Sequence, residues 1–255
     1  MKIEKLTTPP DLLTKNNKYD TLDSSAASAD SFRVTKISPG VKDQNRINLF
    51  INEHFFCSLD IAQLADLKLK TGQILTASQL EELKRASDFG KLYTRALEYA
   101  LMRPRSAREI NDYLKRKTQD RFVRVKNRQT NIYETIKKPG FDTALVQPVL
   151  ARLTTRGFID DAKFARIWVE NRHVQKGISR RRLEQELIKK GIKKSIIDDV
   201  LSDTNRQDTT EIAKIIAKKR AKYDDQKLIQ YLVRQGFDFE SARTAVLETD
   251  SRNSA

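Results

Sequence analysis

The sequence predicts a mainly α protein: three tandem three-helix repeats forming an elongated, curved solenoid, preceded by a small N-terminal β-containing segment. Three observations lead there. Glycine is scarce, 8 in 255 residues, and charged residues make up 33%, a balance that suits exposed helix faces better than sheet. Gly140, Gly191 and Gly236 stand in one recurring frame: KKPGFDTALVQPVL, LIKKGIKKSIIDDVL and LVRQGFDFESARTAV. Ahead of each frame lies a longer amphipathic run, so the unit is three helices with a period of about 45–50 residues, that of a helical solenoid.

Residues 1–31 are polar, with PP at 9–10 and SSAASAD at 24–30, and read as a disordered tail. Residues 32–90 form the β-containing segment. FRVTKI, RINLFI and EHFFCSL are short β-type runs with SPGVKDQN and INEH as turns, predicting a hairpin or a three-stranded sheet. SLDIAQLADLKLKTGQILTASQLEELKRASD then reads as two helices with Gly72 between them and Thr76 as N-cap.

The repeats are expected at 91–159, 160–205 and 206–249, with a tail at 250–255. Their first helices carry stripes of Tyr93, Leu97, Ala100 and Leu101, of Phe164, Ile167, Trp168 and Asn171, and of Ile212, Ile215 and Ile216. The spacing places Phe164 and Trp168 in a core rather than on a stacking platform. Short second helices follow, marked by Leu183 and Leu187 and by Leu228 and Leu232. Ile110 and Leu114 match them if 118–139 is an insertion. Each frame glycine is expected as the left-handed residue ending a second helix. The third helices show apolar or small residues at Leu145, Val146, Val149 and Leu150, at Ile196, Ile197, Val200 and Leu201, and at Ser241, Ala242, Ala245 and Val246. Pro148 implies a kink or a late start in the first of these.

The stretch RGFIDDAKFARIW, Arg156 to Trp168, holds adjacent acids. They read as a joint: Gly157 ends a helix, Asp160 is an N-cap, Asp161 complements the helix dipole, and Ile159 with Phe164 forms a hydrophobic staple. The rival, a metal or acid–base pair, suffers because neighbouring side chains diverge on a helix. The joint, the glycine turn and ALEYALMRPRSAREINDYL together resemble the RecX family of bacterial recombination regulators, as do RVTKI, RINLFI and LKLKTGQILTASQLEEL, over about residues 32–248. The resemblance implies tandem three-helix repeats. It further implies binding to the RecA recombinase filament on single-stranded DNA, with inhibition of ATP hydrolysis and strand exchange. The insertion at 118–139 departs from the family pattern, which has a short turn there.

Charge points independently to a polyanion, either nucleic acid or an acidic protein surface. Residues 91–194 hold 27 Lys+Arg against 11 Asp+Glu, a net of +16, while 1–90 balance at 12 and 12 and 195–255 carry 10 and 11. Ser106 opens a capping box with Glu109. At the matching place Ser179 precedes Arg180, Arg181 and Arg182, cations at the positive end of a helix, which a docked anion would convert into a site. Around them lie Arg166, Arg172, Lys176, Lys189 and Lys190. Arg103, Arg105, Arg108, Lys115 and Arg116 are the first-repeat counterparts, and the two sets form a basic stripe if both helices face one side. RFVRVKNRQTNIY in the insertion, with Arg124 and Arg128, reads either as a basic hairpin presenting Phe122 and Tyr133 for base stacking or as a poorly ordered loop.

No apolar run reaches membrane-span length, and the N-terminus shows no secretory signal. Cys57 alone fits a reducing cytoplasm, and with His54 and His173 leaves no zinc set. Without a phosphate loop, nucleophile elbow or HExxH pattern, the expectation is a cytoplasmic, non-enzymatic monomer with no metal and no cofactor. Its expected partners are the recombinase filament and single-stranded, possibly duplex, DNA. The competing expectation is a general helical module acting on naked DNA.

Overall fold

The computed structural model describes residues 32–40, 43–127 and 131–253, so the tail expected at 1–31 lies outside the described residues. The chain divides into two units, one up to Leu83 and one from Lys84.

The first unit holds an antiparallel sheet in the order β3-β2-β1-β4. Strands β1 (Phe32–Pro39), β2 (Arg46–Ile51) and β3 (His54–Asp60) occupy the three expected runs. Asn52 and Glu53 turn the chain between β2 and β3 with φ of 49° and 66°, as a tight hairpin requires. The fourth strand, β4 (Ile74–Leu75), pairs with Phe32 and Arg33 and is too short to leave an alternation signal. Val34, Leu49, Ile51, Cys57, Leu59 and Leu75 are buried. Helix α1 (Ile61–Asp66) is capped by Asp60. Helix α2 (Ala77–Leu101) starts after Thr76, whose Oγ1 accepts from the Gln79 amide at 3.3 Å while Gln79 Oε1 accepts from the Thr76 amide at 2.8 Å.

The second unit contains three helix triads. In the first, α2, α3 (Ala107–Lys117) and α4 (Val146–Thr155) enclose Leu92, Ala96, Ile110, Leu114, Val146, Val149 and Leu153. In the second, α5 (Asp161–Asn171), α6 (Arg180–Lys189) and α7 (Lys194–Asp203) enclose Phe164, Ala165, Val169, Leu183, Leu187, Ile197 and Val200. In the third, α8 (Asp208–Lys219), α9 (Asp225–Arg234) and α10 (Phe239–Asn253) enclose Ile212, Ile215, Ile216, Leu228, Leu232, Ala242 and Val246. Helix α10 thus continues past Thr249, where the sequence predicts a tail.

The buried stripes of α2 and α5 sit one residue away from their expected centres. Leu92, Ala96, Ala165 and Val169 are buried, whereas Tyr93, Leu97 and Trp168 flank the cores and Leu101 is exposed. Trp168 stands at the edge of its stripe, where its indole N–H reaches the Glu186 carboxylate at 3.1 Å. Pro148 falls in the first turn of α4, which starts late, behind a 3-10 turn at Thr143–Leu145.

Gly191 and Gly236 end α6 and α9 at φ of 79° and 94°, and in each case the next amide returns to the helix: Ile192 donates to Leu187 O and Phe237 to Leu232 O. Gly140 does not do this. The insertion leaves the helix at Thr118, runs out as strands β5 (Arg121–Lys126) and β6 (Tyr133–Lys138), and comes back beside its starting point. A Cβ on Gly140 would lie 2.1 Å from Thr118 O, so this glycine permits a close backbone crossing instead of a left-handed turn.

Candidate functional site

The second helices α3, α6 and α9 are joined end to end by a hydrogen-bond pattern that repeats. Ser106, the N-cap of α3, accepts from the Glu109 amide and donates through Oγ to Lys190 O at the end of α6, 2.8 Å away. Ser179 does the same at α6, accepting from the Arg182 amide and donating to Gln235 O at the end of α9, at 2.7 Å. The first amide of each helix is taken by an acid from the following triad. Asp161 accepts from Ala107 at 2.8 Å, and Asp208 from Arg180 at 2.9 Å. Both serines are fully buried. The negative end of one helix therefore meets the positive end of the next, a favourable dipole arrangement.

This pattern resolves the acid pair. Asp160 caps α5, accepting from the Lys163 amide at 2.9 Å, whereas Asp161 reaches across to α3. The two carboxylates serve different helices and do not converge. The staple expected between Ile159 and Phe164 is absent: Ile159 is buried in the first triad's core and Phe164 in the second's. Among the described residues no group of His, Cys, Asp and Glu is placed to hold a metal ion. Asp160→Ala is expected to lower stability by about 0.5–2 kcal/mol as a lost cap. Asp161→Ala is expected to cost about 1–3 kcal/mol, because it leaves a helix amide without its charged acceptor. Urea titration of each variant checks this, and a loss of function without a loss of stability would contradict the joint.

The same pattern also occupies the helix end where an anion site is expected at Arg180–Arg182. The amides that would cradle an anion already donate to Asp208 and Ser179. Of the three guanidinium groups, that of Arg180 donates to Leu201 O at 2.6 Å and that of Arg182 to Gln235 Oε1, and Arg181 is exposed.

Several other predicted cations are structural. Arg103 makes a two-pronged pair with Glu109 (3.1 and 3.3 Å), Lys190 binds the same carboxylate at 2.8 Å, and Arg105 donates to Tyr99 O while lying 3.4 Å above its ring. Arg172 forks onto Glu186 at 2.7 and 3.0 Å, and Trp168 Nε1 donates to that carboxylate as well, with Trp168 stacked on Phe164. Trp168 is thereby a packing residue. Arg108, Lys115, Arg116, Arg166, Lys176, Arg181 and Lys189 are exposed and make no hydrogen bond or ion pair through their side chains among the described residues.

The unpaired cations include a contiguous set. The Arg108 side chain lies on Gly191, two residues along the chain from Lys189, where an added Cβ would come within 2.7 Å of it. A groove of about 480 Å³ is lined by Arg181, Arg182, Gln185, Glu186 and Lys189 of α6 and by the Val233–Gly236 end of α9. Arg108, Lys189 and Arg181 therefore follow one another along the row of second helices, with Lys115 and Arg116 farther along α3. Arg166, on α5, and Lys176, in the turn after it, do not line this groove. Arg124 sits on the hairpin, 5.5 Å over the Tyr133 ring, and Arg128 lies outside the described residues.

Family models for the RecX N-terminal domain and the second three-helix domain of RecX match residues 32–76 and 160–201. Regulatory protein RecX of Listeria welshimeri is 29% identical over 224 residues, covering 85% of this chain and 75% of that protein. That of Bacillus licheniformis is 28% identical over 228 residues, covering 86% and 78%. The two family models and these relatives together support the RecX family for this chain. A crystal structure of regulatory protein RecX shares the fold, with a TM-score of 0.61 at 23% identity over 82% of this chain and 96% of the other. The matched RecX three-helix domain starts at Asp160, the cap of α5, and ends inside α7. Among the described residues no helix is long and apolar enough to cross a membrane.

Two groove-lining positions were not singled out from sequence. Arg234 and Gln185 line the groove, and Arg234 stands two residues before Gly236 as Lys189 stands two before Gly191; the repeat frame held that signal. Three paired carboxyls of the triads are also perturbed. Burial pushes Glu109, Glu186 and Glu211 upward, but charge-assisted hydrogen bonds from Arg103 and Lys190, from Arg172, and from Arg206 and Lys214 outweigh it. All three end below the ordinary 4.5. Their stabilisation is fully present above the unfolded carboxylate value and is lost as pH falls through the lowered folded values. Urea midpoints are therefore expected to fall as pH drops below about 4.5. An unchanged midpoint down to about pH 3 would show these pairs to be immaterial.

Proposed function

We propose that this protein regulates recombination by binding the RecA–single-stranded DNA filament and inhibiting its ATP hydrolysis and strand exchange. In this reading the three triads are repeat units at 91–159, 160–205 and 206–249 of an elongated, curved solenoid that follows a groove across several recombinase subunits. One observation carries the reading: Arg108, Lys189 and Arg181 lie unpaired and in sequence along end-to-end helices, a track of point charges suited to a phosphate backbone or an acidic filament surface. The cations spent on Glu109 and Glu186 hold the triads in position rather than contacting the partner.

The deciding experiment is single-stranded-DNA-dependent ATP hydrolysis by the cognate recombinase, with this protein titrated well below one per subunit. Substoichiometric inhibition supports the reading. No inhibition, together with tight binding to naked DNA, would make the protein a helical DNA-binding module instead.

A further inference from the structure

We propose that the β5–β6 hairpin is a second binding site, an arm that holds single-stranded nucleic acid by base stacking, separate from the helix track and independent of whether a filament is the partner. The register places Phe122 opposite Lys137, Arg124 opposite Thr135 and Lys126 opposite Tyr133, so these six side chains share one face. The other face carries the Val123–Ile136 pair, an ordinary cross-strand contact that accounts for those residues structurally.

Among the described residues no apolar pair of this kind covers the rings of the first face. Phe122 is 73% exposed and Tyr133 58%, although a two-stranded hairpin gains its stability from covered apolar surface. The two rings stand at opposite ends of the face, about 13 Å apart along the strands, with Arg124 between them. Arg124 and Lys126 lie over Tyr133, at 5.5 and 5.9 Å from the ring centre. Arg121 and Lys138 sit opposite each other at the base, while the acids are engaged: Asp120 pairs with Lys137, and Glu134 accepts from Asn127.

Exposed rings alternating with unneutralised cations match a ligand that offers flat π-faces and a regularly charged backbone. A duplex hides its base faces in the stack, so the chemistry selects unpaired strands. Deoxyribo- and ribo-oligomers both qualify.

The test is binding of naked oligothymidylate, oligouridylate and a duplex of equal length to the full chain, without recombinase. Phe122→Ala with Tyr133→Ala is expected to weaken single-strand binding by at least about tenfold and to leave its salt dependence unchanged. Arg124→Ala with Lys126→Ala is expected to flatten the salt slope by about 1.4. Because loss of both rings could unravel the hairpin, Phe122→Trp provides an independent reading. The fluorescence of that variant, after subtraction of the Trp168 signal measured in the parent, is expected to be quenched by the single strand and not by the duplex. Unchanged affinity of the ring variants, no quenching in the Phe122→Trp variant, or equal quenching by duplex would overturn the proposal. A parent that binds single strands through the hairpin yet fails to inhibit a recombinase would sink the filament reading and leave this one standing.

Discussion

Glu211→Ala is expected to destabilise the protein by about 3–5 kcal/mol, the range for breaking a buried ion pair by removing one partner. Glu211 is 2% exposed, and its carboxylate accepts from Arg206 at 2.9 and 3.2 Å, from Lys214 at 2.8 Å and from the Ile178 amide at 3.0 Å. Arg206 also donates to Val169 O and Arg172 O at the end of α5, at 2.6 and 2.7 Å. One carboxylate thus fastens α8 to the second triad, and its loss leaves a half-buried guanidinium without its counter-charge. Urea unfolding measures the effect. The double variant Arg206→Ala, Glu211→Ala is expected to cost less than the sum of the singles by about 1–3 kcal/mol, since the two act as one unit. Additivity would show that Arg206 is held by the α5 carbonyls alone.

The largest functional effect is expected from Arg108→Ala, Arg181→Ala and Lys189→Ala combined. None of these side chains holds the fold together through an ion pair, so helicity and urea midpoint should stay close to the parent's. At about 0.5–1 kcal/mol per exposed contact, half-inhibition of the recombinase should need about 10- to 100-fold more protein. If the track contacts a single strand, the salt slope of binding should flatten by about 2. A flat response in both assays would remove the track from the interface. The matched control is Arg103→Ala, which breaks a pair to Glu109 and is expected to act on stability rather than on binding.

Local rules account for what was legible in the sequence. Gly191, Gly236, Ser106 and Asp160 act on amides and carbonyls within a turn of themselves, so residue type and spacing sufficed to place helix ends and, through them, the triads. Three of the first unit's four strands were readable from alternation. The candidate site was legible only in part. Charge concentrated in 91–194 pointed to the helices that carry the unpaired track, but Arg103, Arg105, Arg172, Arg180 and Lys190 are engaged by partners within the chain.

What the sequence determined by itself was therefore the inventory of helices, their caps and the sign of the surface charge, because these depend on neighbours along the chain. Only the tertiary structure decided which charges are spent. Asp208 fills the α6 end from 28 residues away, Asp161 caps a helix 54 residues back, and Glu211 sits where the second triad has Phe164. Each of those partnerships is set by how one triad seats against the next, and helical periodicity carries no information about it.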